Sequence, residues 1–188
     1  LGVNAGNSIA SGGNYNVTVG DDAGTDLTTG DKNTFAGYAA GANTTTASNN
    51  TFLGSESGFT NTTGTSNTAV GWRSLLANTT ANSNTAVGYA SLTANTTGNQ
   101  NTAIGQAALD ANTTGDNNVA LGYGSLTANT TADNNIAIGR TAMEASTTAT
   151  NNVAVGKDAM IALTTGAGNI AIGMDALDAI TTVSNTIA

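Results

Sequence analysis

Residues 84–100 read NTAVGYASLTANTTGNQ, residues 101–117 read NTAIGQAALDANTTGDN, and residues 118–134 read NVALGYGSLTANTTADN. Near-copies of this unit recur every 17 residues through the chain. A repeat this short is typical of a parallel β-solenoid, in which each unit forms one coil that stacks on the next. We number the 17 repeat positions from Asn84 and its equivalents.

A few repeat positions scarcely vary along the chain. Asn occupies position 1 and Gly position 5 in ten successive repeats, and a Thr-Thr pair fills positions 13 and 14. Stacked Asn amides can pass hydrogen bonds from coil to coil, and Gly permits the positive φ of a sharp corner. In the central repeats we expect these structural ladders at Asn84, Asn101, Asn118, Asn135, Gly88, Gly105, Gly122, Gly139, Thr97, Thr114 and Thr131.

The remaining positions alternate between strand and turn residues. Positions 2 to 4 read TAV, TAI, VAL or IAI, which predicts a short strand, and positions 15 to 17 hold turn residues such as GDN. The pattern predicts an all-β fold, a parallel solenoid (β-roll or β-helix) of about 11 coils and roughly 50 Å in length.

Positions 3 and 9 exchange volume between repeats. From Ala69 onward position 3 is Ala and position 9 is Leu or Met, whereas Phe35 and Phe52 accompany Gly41 and Gly58. Close-packed interiors conserve volume in this way, so we expect these two positions to share one core layer. The first complete repeat, with Thr18 and Gly24, does not fully follow this rule.

The strand is apolar on both faces. Position 4 is Val, Ile, Leu or Ala throughout, although it points away from position 3. One thin coil cannot cover two apolar faces by itself. We therefore expect a homo-oligomer of parallel rods, in which the second face meets neighbouring subunits.

Composition excludes several function classes. The net charge is -8, with only four Lys and Arg residues, which disfavours nucleic acid as a partner. The chain has no His and no Cys, so we expect neither an enzyme nor a metal or cofactor site. The carboxylates of Glu56, Asp158 and Asp175 are not predicted to face one another across a cleft. No apolar run approaches the length of a membrane span.

Some residues have both a functional and a structural interpretation. Trp72 and its equivalents at position 6 are either a receptor contact, such as a sugar platform, or an ordinary surface row, and the second is favoured; the aromatic members are Tyr38, Trp72, Tyr89 and Tyr123. The acidic first repeat is either a cation site or, as favoured, a solvated turn; it contains Asp21, Asp22, Asp26 and Asp31. The NTT sequons match glycan acceptors but fit an internal ladder more simply; those of four consecutive central repeats start at Asn78, Asn95, Asn112 and Asn129.

The repeat resembles two families of fibrous proteins. The unit N-[TVI]-A-[VIL]-G, followed by a small residue and a turn, is similar to the head repeats of trimeric autotransporter adhesins. The longer form NTAVGYxSLxANTTGxxN resembles repeats of phage tail-fibre and tail-spike proteins. The resemblance covers essentially the whole chain and implies a left-handed roll, with three chains assembled as an intertwined or side-by-side homotrimer. The ANTT segment makes this repeat longer than the adhesin unit, so a different outer turn is expected.

On this resemblance the chain is a structural and adhesive segment of a phage tail fibre, located on the virion, that attaches to a host surface. Its partners would be two further copies, other fibre or tail proteins, and a host-surface glycan or protein. The alternative is the head or stalk of a bacterial trimeric surface adhesin on the cell surface. An ice-binding solenoid is a third hypothesis, because rows of Thr can order water.

Both ends of the sequence fall within a repeat. Leu1-Gly2 fits positions 4 and 5, and the chain stops at Ala188, three residues into a repeat. We therefore expect residues 1–188 to be a single repeat domain cut from a longer fibrous chain.

Overall fold

The computed structural model describes residues 2–9 and 13–188, and Leu1 lies outside the described residues. Each repeat contributes one strand of three residues from positions 2 to 4, because β-branched side chains suit an extended backbone. The strands are β1 (Val17–Val19), β2 (Thr34–Ala36), β3 (Thr51–Leu53), β4 (Thr68–Val70), β5 (Thr85–Val87), β6 (Thr102–Ile104), β7 (Val119–Leu121), β8 (Ile136–Ile138), β9 (Val153–Val155) and β10 (Ile170–Ile172).

The ten strands form one parallel sheet in the order of the sequence. The register is one repeat per step, so that Thr85 pairs with Thr102 and Val87 with Ile104. A single bridge between Ile170 and Ile187 extends this pairing beyond β10. The sheet confirms the predicted all-β parallel solenoid. It has about nine to ten turns, where the sequence predicted about 11 coils. The residues described include no helix that could cross a membrane.

Corners of each coil use left-handed backbone. Gly88 at position 5 has a φ of 134°, as expected for the corner glycine. Ala90, Leu92 and Gln100, at positions 7, 9 and 17, have φ values of 53°, 53° and 58°, and the same positions are left-handed in other repeats. For residues other than Gly this conformation costs about 1–2 kcal/mol each. The strain persists because hydrogen bonds to the coils on either side fix the backbone.

The core is a single column of side chains inside the coils. Position 3 and position 9, exemplified by Ala86 and Leu92, are both fully buried and belong to one cluster. In the earlier coils the rings of Phe35 and Phe52 stack with centroids 5.1 Å apart. A Cβ atom on Gly58 would lie 2.5 Å from Cε2 of Phe52, which confirms that positions 3 and 9 compete for the same volume.

The first repeat departs from the volume rule for a local reason. A Cβ atom on Gly24 would lie 3.0 Å from the Phe35 ring of the next coil and 3.0 Å from Cγ2 of Thr18. Phe35 therefore fills space in two coils, which is why Thr18 at position 3 is accompanied by Gly rather than by Leu.

Candidate functional site

The Asn residues at position 1 form a continuous internal ladder. The backbone N–H of Asn101 donates to Oδ1 of Asn84 at 2.9 Å, and Nδ2 of Asn101 donates to the carbonyl of Gly115 at 2.7 Å. The N–H of Asn118 in turn donates to Oδ1 of Asn101 at 2.9 Å. Asn135 repeats the pattern, and all four side chains are fully buried. Each amide thus satisfies backbone groups of two coils, which is a structural role.

The corner positions need glycine both because their φ is positive and because there is no room for a Cβ atom. At Gly88, Gly105, Gly122 and Gly139 a Cβ atom would lie between 2.3 and 2.6 Å from the carbonyl oxygen of the next corner glycine. Neighbouring corners stack backbone on backbone, so a side chain at any of them would force two coils apart.

The hydroxyl groups that form a ladder belong to the first Thr of each Thr-Thr pair, at position 13. Oγ1 of Thr96 donates to the carbonyl of Thr113 at 3.0 Å, and Thr113 donates to Thr130 in the same way. Thr97, Thr114 and Thr131, where the structural ladder was expected, have exposed side chains. The backbone N–H of Thr97 and that of Thr114 each donate to a carbonyl of the next coil at 3.2 Å. Their side chains form one outward column, and the half-buried hydroxyls beside them are engaged with backbone carbonyls. The pair alone therefore lacks the second outward row that an ice-binding face would need.

A second internal Asn ladder follows position 12, which carries the sequons. Nδ2 of Asn78 donates to Oδ1 of Asn61 at 2.6 Å, and Asn95, Asn112 and Asn129 continue the series. All of these side chains are fully buried. An amide inside the coil stack is inaccessible to a glycosylating enzyme, so the folded chain cannot accept glycans there.

The polar side chains at position 16 form a row whose hydrogen bonds point in the opposite direction to those of the Asn ladder at position 1. The N–H of Asn82 donates to Oδ1 of Asn99, that of Asn99 to Asp116, and that of Asp116 to Asp133. Each side-chain oxygen comes from the following coil rather than the preceding one. The row explains why this position holds an acceptor side chain in every complete repeat except the one with Ala167. It also gives Asp116 and Asp133 a structural role.

Three of the four acidic residues of the first repeat accept hydrogen bonds from backbone or amide groups. Oδ1 of Asp21 accepts the N–H of Val3 at 2.9 Å, and Oδ1 of Asp22 accepts Nδ2 of Asn4 at 3.0 Å. Oδ1 of Asp31 accepts the N–H of Asn14 at 2.7 Å. Over residues 2–9 and 13–188, no three acidic side chains converge in a way that could hold a metal ion.

Two carboxylates have shifted pKa values. Hydrogen bonds from Lys157 and Thr141 lower the pKa of Asp158 from its ordinary value. Burial raises the pKa of Asp110, against the lowering effect of backbone hydrogen bonds, and one of its oxygens is buried without a hydrogen-bond partner. Each shift has a local cause in packing or pairing, and neither carboxylate faces a cleft with a second acid.

The exposed aromatic residues at position 6 do not form a flat platform. The rings of Trp72 and Tyr89 stack with centroids 4.7 Å apart, close to the spacing of neighbouring strands. Rings stacked along the coil axis present their edges, not their faces, to the side. Cζ of Arg73 lies 4.4 Å from the Trp72 centroid and adds a cation–π contact. Tyr38 and Tyr123 are separate and exposed, with Arg140 at 6.0 Å from the Tyr123 ring.

Beside Arg73 the structure has a groove that the sequence did not predict. Nε of Arg73 donates to Oε2 of Glu56 at 2.5 Å, across two consecutive coils. This ion pair borders an open groove of about 560 Å³ whose apolar lining includes Phe59, Leu76 and Ala77. Glu56 and Arg73 both occupy position 7, so their register in consecutive repeats was a signal that could have paired them.

The outer face of the parallel sheet is a second candidate surface. Position 4 is aliphatic in all ten strands, and position 2 is Thr in β2 to β6 and aliphatic elsewhere. Ile104 is 38% and Leu121 41% exposed, although both lie within the sheet rather than at an end. We call the side chains of positions 2 and 4 the strand face, which runs for roughly 45 Å.

Three surfaces are thus candidates for contact with other molecules: the strand face, the stack of Trp72 and Tyr89, and the groove beside Arg73. The internal ladders account for the repeated polar residues without a ligand. No protein-family model, no curated protein and no solved structure matches this chain.

Proposed function

We propose that this chain is a segment of a homotrimeric fibre, and specifically of a phage tail fibre that reaches and attaches to a host surface. The observation that carries the proposal is the strand face. Parallel sheets are generally covered on both faces, yet here the coil covers only the side of position 3. An exposed aliphatic column of this length, at position 4, favours burial against further copies.

Symmetry favours identical partners. Parallel rods in register place position 4 of each chain beside position 4 of its neighbours at every coil, so apolar meets apolar along the whole length. The number of three copies and the left-handed winding come from the resemblance to adhesin heads and tail fibres. The mechanical role follows from the ladders, because backbone and amide hydrogen bonds at every coil give stiffness without a hinge.

The choice of a virion over a bacterial envelope also comes from the resemblance, since the ANTT-containing repeat is more similar to tail-fibre repeats. Other fibre or tail proteins would then be its neighbours along the assembly. A bacterial surface adhesin is the alternative, and it would use the same strand face in the same way.

Antibodies against the folded segment would test the location. We expect gold-labelled antibody to mark the tail fibres of purified virions in electron micrographs, and antibody fragments to slow adsorption of those virions to host cells. Label on the envelope of intact bacteria, with none on virions, would overturn the tail-fibre proposal in favour of the adhesin.

A further inference from the structure

We propose that the groove beside the Glu56–Arg73 ion pair, between the coils of residues 50–66 and 67–83, binds a neutral oligosaccharide. This inference rests on the proposed role in host attachment and names the chemistry by which one segment of the fibre would contribute to it.

The first support is the set of residues beside the groove that differ from the usual residues of the repeat. Glu56 and Arg73 are oppositely charged at position 7, and Phe59 is the one aromatic residue at position 10. Thr60 occupies position 11, which is Ala in each repeat from Ala77 onward. Position 11 also differs from Ala at Asp26 and Asn43, so the feature specific to these two coils is the oppositely charged pair at position 7 together with the aromatic ring at position 10. Stacking of the coils does not itself require either feature.

The second support is the combination of an apolar floor with a polar wall. Phe59, Leu76 and Ala77 are only partly covered and line the groove. The C–H face of a pyranose ring packs against aromatic and aliphatic surface of this kind, while its hydroxyl edge needs both donors and acceptors. The volume of about 560 Å³ lies within the range of small-ligand sites and would hold a short oligosaccharide rather than a single sugar.

The ion pair supplies those donors and acceptors. Its hydrogen bond uses one of the five N–H donors of the guanidinium and one of the two carboxylate oxygens. The side chain of Arg73 keeps 43% of its surface exposed and that of Glu56 26%, so both can reach a ligand. Stacking on Trp72 and the bond to Glu56 hold the guanidinium in place, which reduces the entropy lost on binding.

Charge favours a neutral saccharide over an acidic one. The cation of Arg73 is neutralised by Glu56, and the chain as a whole carries a net charge of -8. An anionic sugar would therefore meet no uncompensated positive charge in the groove and a repulsive field around it. The groove shares no residue with the strand face, so packing through that face would use none of the residues that line the groove.

Trp72 provides the readout, because it is the only tryptophan of the chain and it lies against Arg73. The full chain is titrated with neutral tri- and tetrasaccharides of glucose, galactose, mannose and N-acetylglucosamine, and with sialylated counterparts, up to about 10 mM. We expect a saturable change in tryptophan fluorescence with at least one neutral oligosaccharide. No response to any of the neutral sugars, or a response to the sialylated ones alone, would overturn the proposal.

Matched variants separate the groove from the rest of the surface. Arg73→Gln is expected to weaken binding about tenfold or more, since it removes a charge-assisted donor, and Phe59→Ala should act likewise. Arg140→Gln, which alters the cation–π contact with Tyr123 away from the groove, is the control and should leave binding unchanged. Equal affinity in Arg73→Gln and in the native chain would rule out this site.

The same samples distinguish failure of this site from failure of the fibre. A trimer that binds none of the neutral sugars removes the groove proposal and leaves the fibre proposal standing. A monomer that binds the neutral sugars removes the fibre proposal and leaves the groove proposal standing.

Discussion

Single residues of this chain act mainly through the coils above and below them. Asn101 contacts three backbone or amide groups that lie outside its own immediate sequence, in Asn84, Gly115 and Asn118. At this scale the repeat is a set of contacts between equivalent residues, so the effect of a substitution depends on what the neighbouring coils lose.

Replacement of Asn101 by Ala should therefore destabilise strongly for a small change in volume. The N–H of Asn118 would be left buried without a partner, and the carbonyl of Gly115 would keep only its hydrogen bond from Nδ2 of Asn112. The cost is about 1–3 kcal/mol. Thermal unfolding followed by circular dichroism measures the loss. Gln106→Ala, at an exposed position, is the control, and an Asn101→Ala variant as stable as this control would contradict the ladder.

Asp110 should make stability depend on pH. Burial raises the pKa of its carboxyl in the folded state, so folding favours the protonated form. The stability linked to this group is fully present below its unfolded pKa and is lost as the pH rises through the raised, folded value.

Asp110→Asn should accordingly raise the Tm at pH 7 by about 1–2 °C, kept small because solvent reaches part of this carboxylate. Melting curves of both proteins from pH 3 to pH 7 measure the difference in Tm, which should shrink toward acidic pH. A variant less stable than the native chain at pH 7 would be evidence against a desolvated carboxylate.

Among the structural elements, the core layer is where sequence and packing correspond most closely. The pair Phe52 and Gly58 does in one coil what Ala69 and Leu75 do in the next, and all of these side chains lie in the same buried column. The coil therefore accepts either distribution of volume, provided that the sum is kept.

A double-mutant cycle tests this equivalence. Phe52→Ala leaves a cavity and Gly58→Leu a clash, so each should lower the Tm by about 10 °C. The double variant recreates the arrangement of the following coil and should recover most of that loss. Losses that simply add in the double variant would mean that the two positions do not share one layer.

The predictable elements are those in which the residue type itself indicates the backbone conformation or the burial of the position. The β-branched triplets predicted the strands, the invariant Gly predicted the corner at Gly88, and the exchange of Phe for Ala predicted the shared layer. The left-handed corners at Ala90, Leu92 and Gln100 were not predictable, because these residue types do not ordinarily indicate a positive φ. The groove was missed for the same reason, since it depends on how the corners at Glu56 and Arg73 project their side chains.

On the scale of the whole molecule, the strand face is the surface through which we propose that the chain assembles. Its aliphatic column at position 4 continues through all ten strands, so no single residue accounts for the surface. A charge placed within it would have to be desolvated on assembly, at a cost that apolar contacts nearby could not offset.

Leu121→Glu should therefore convert an oligomer into a monomer while the coils stay folded, because its side chain is 41% exposed in the single chain. Light scattering coupled to size exclusion gives the mass, and circular dichroism checks the fold. Thr114→Glu, on an outward column away from the strand face, is the matched control and should leave the mass unchanged. An unaltered oligomer in Leu121→Glu would place the interface elsewhere.

The mass of the native chain in solution, measured by sedimentation equilibrium at micromolar concentration, tests the fibre proposal most directly. A homotrimer packed through the strand face predicts a single species of three times the 18.3 kDa chain mass. A stable, soluble species of 18.3 kDa, folded and monodisperse, would contradict it.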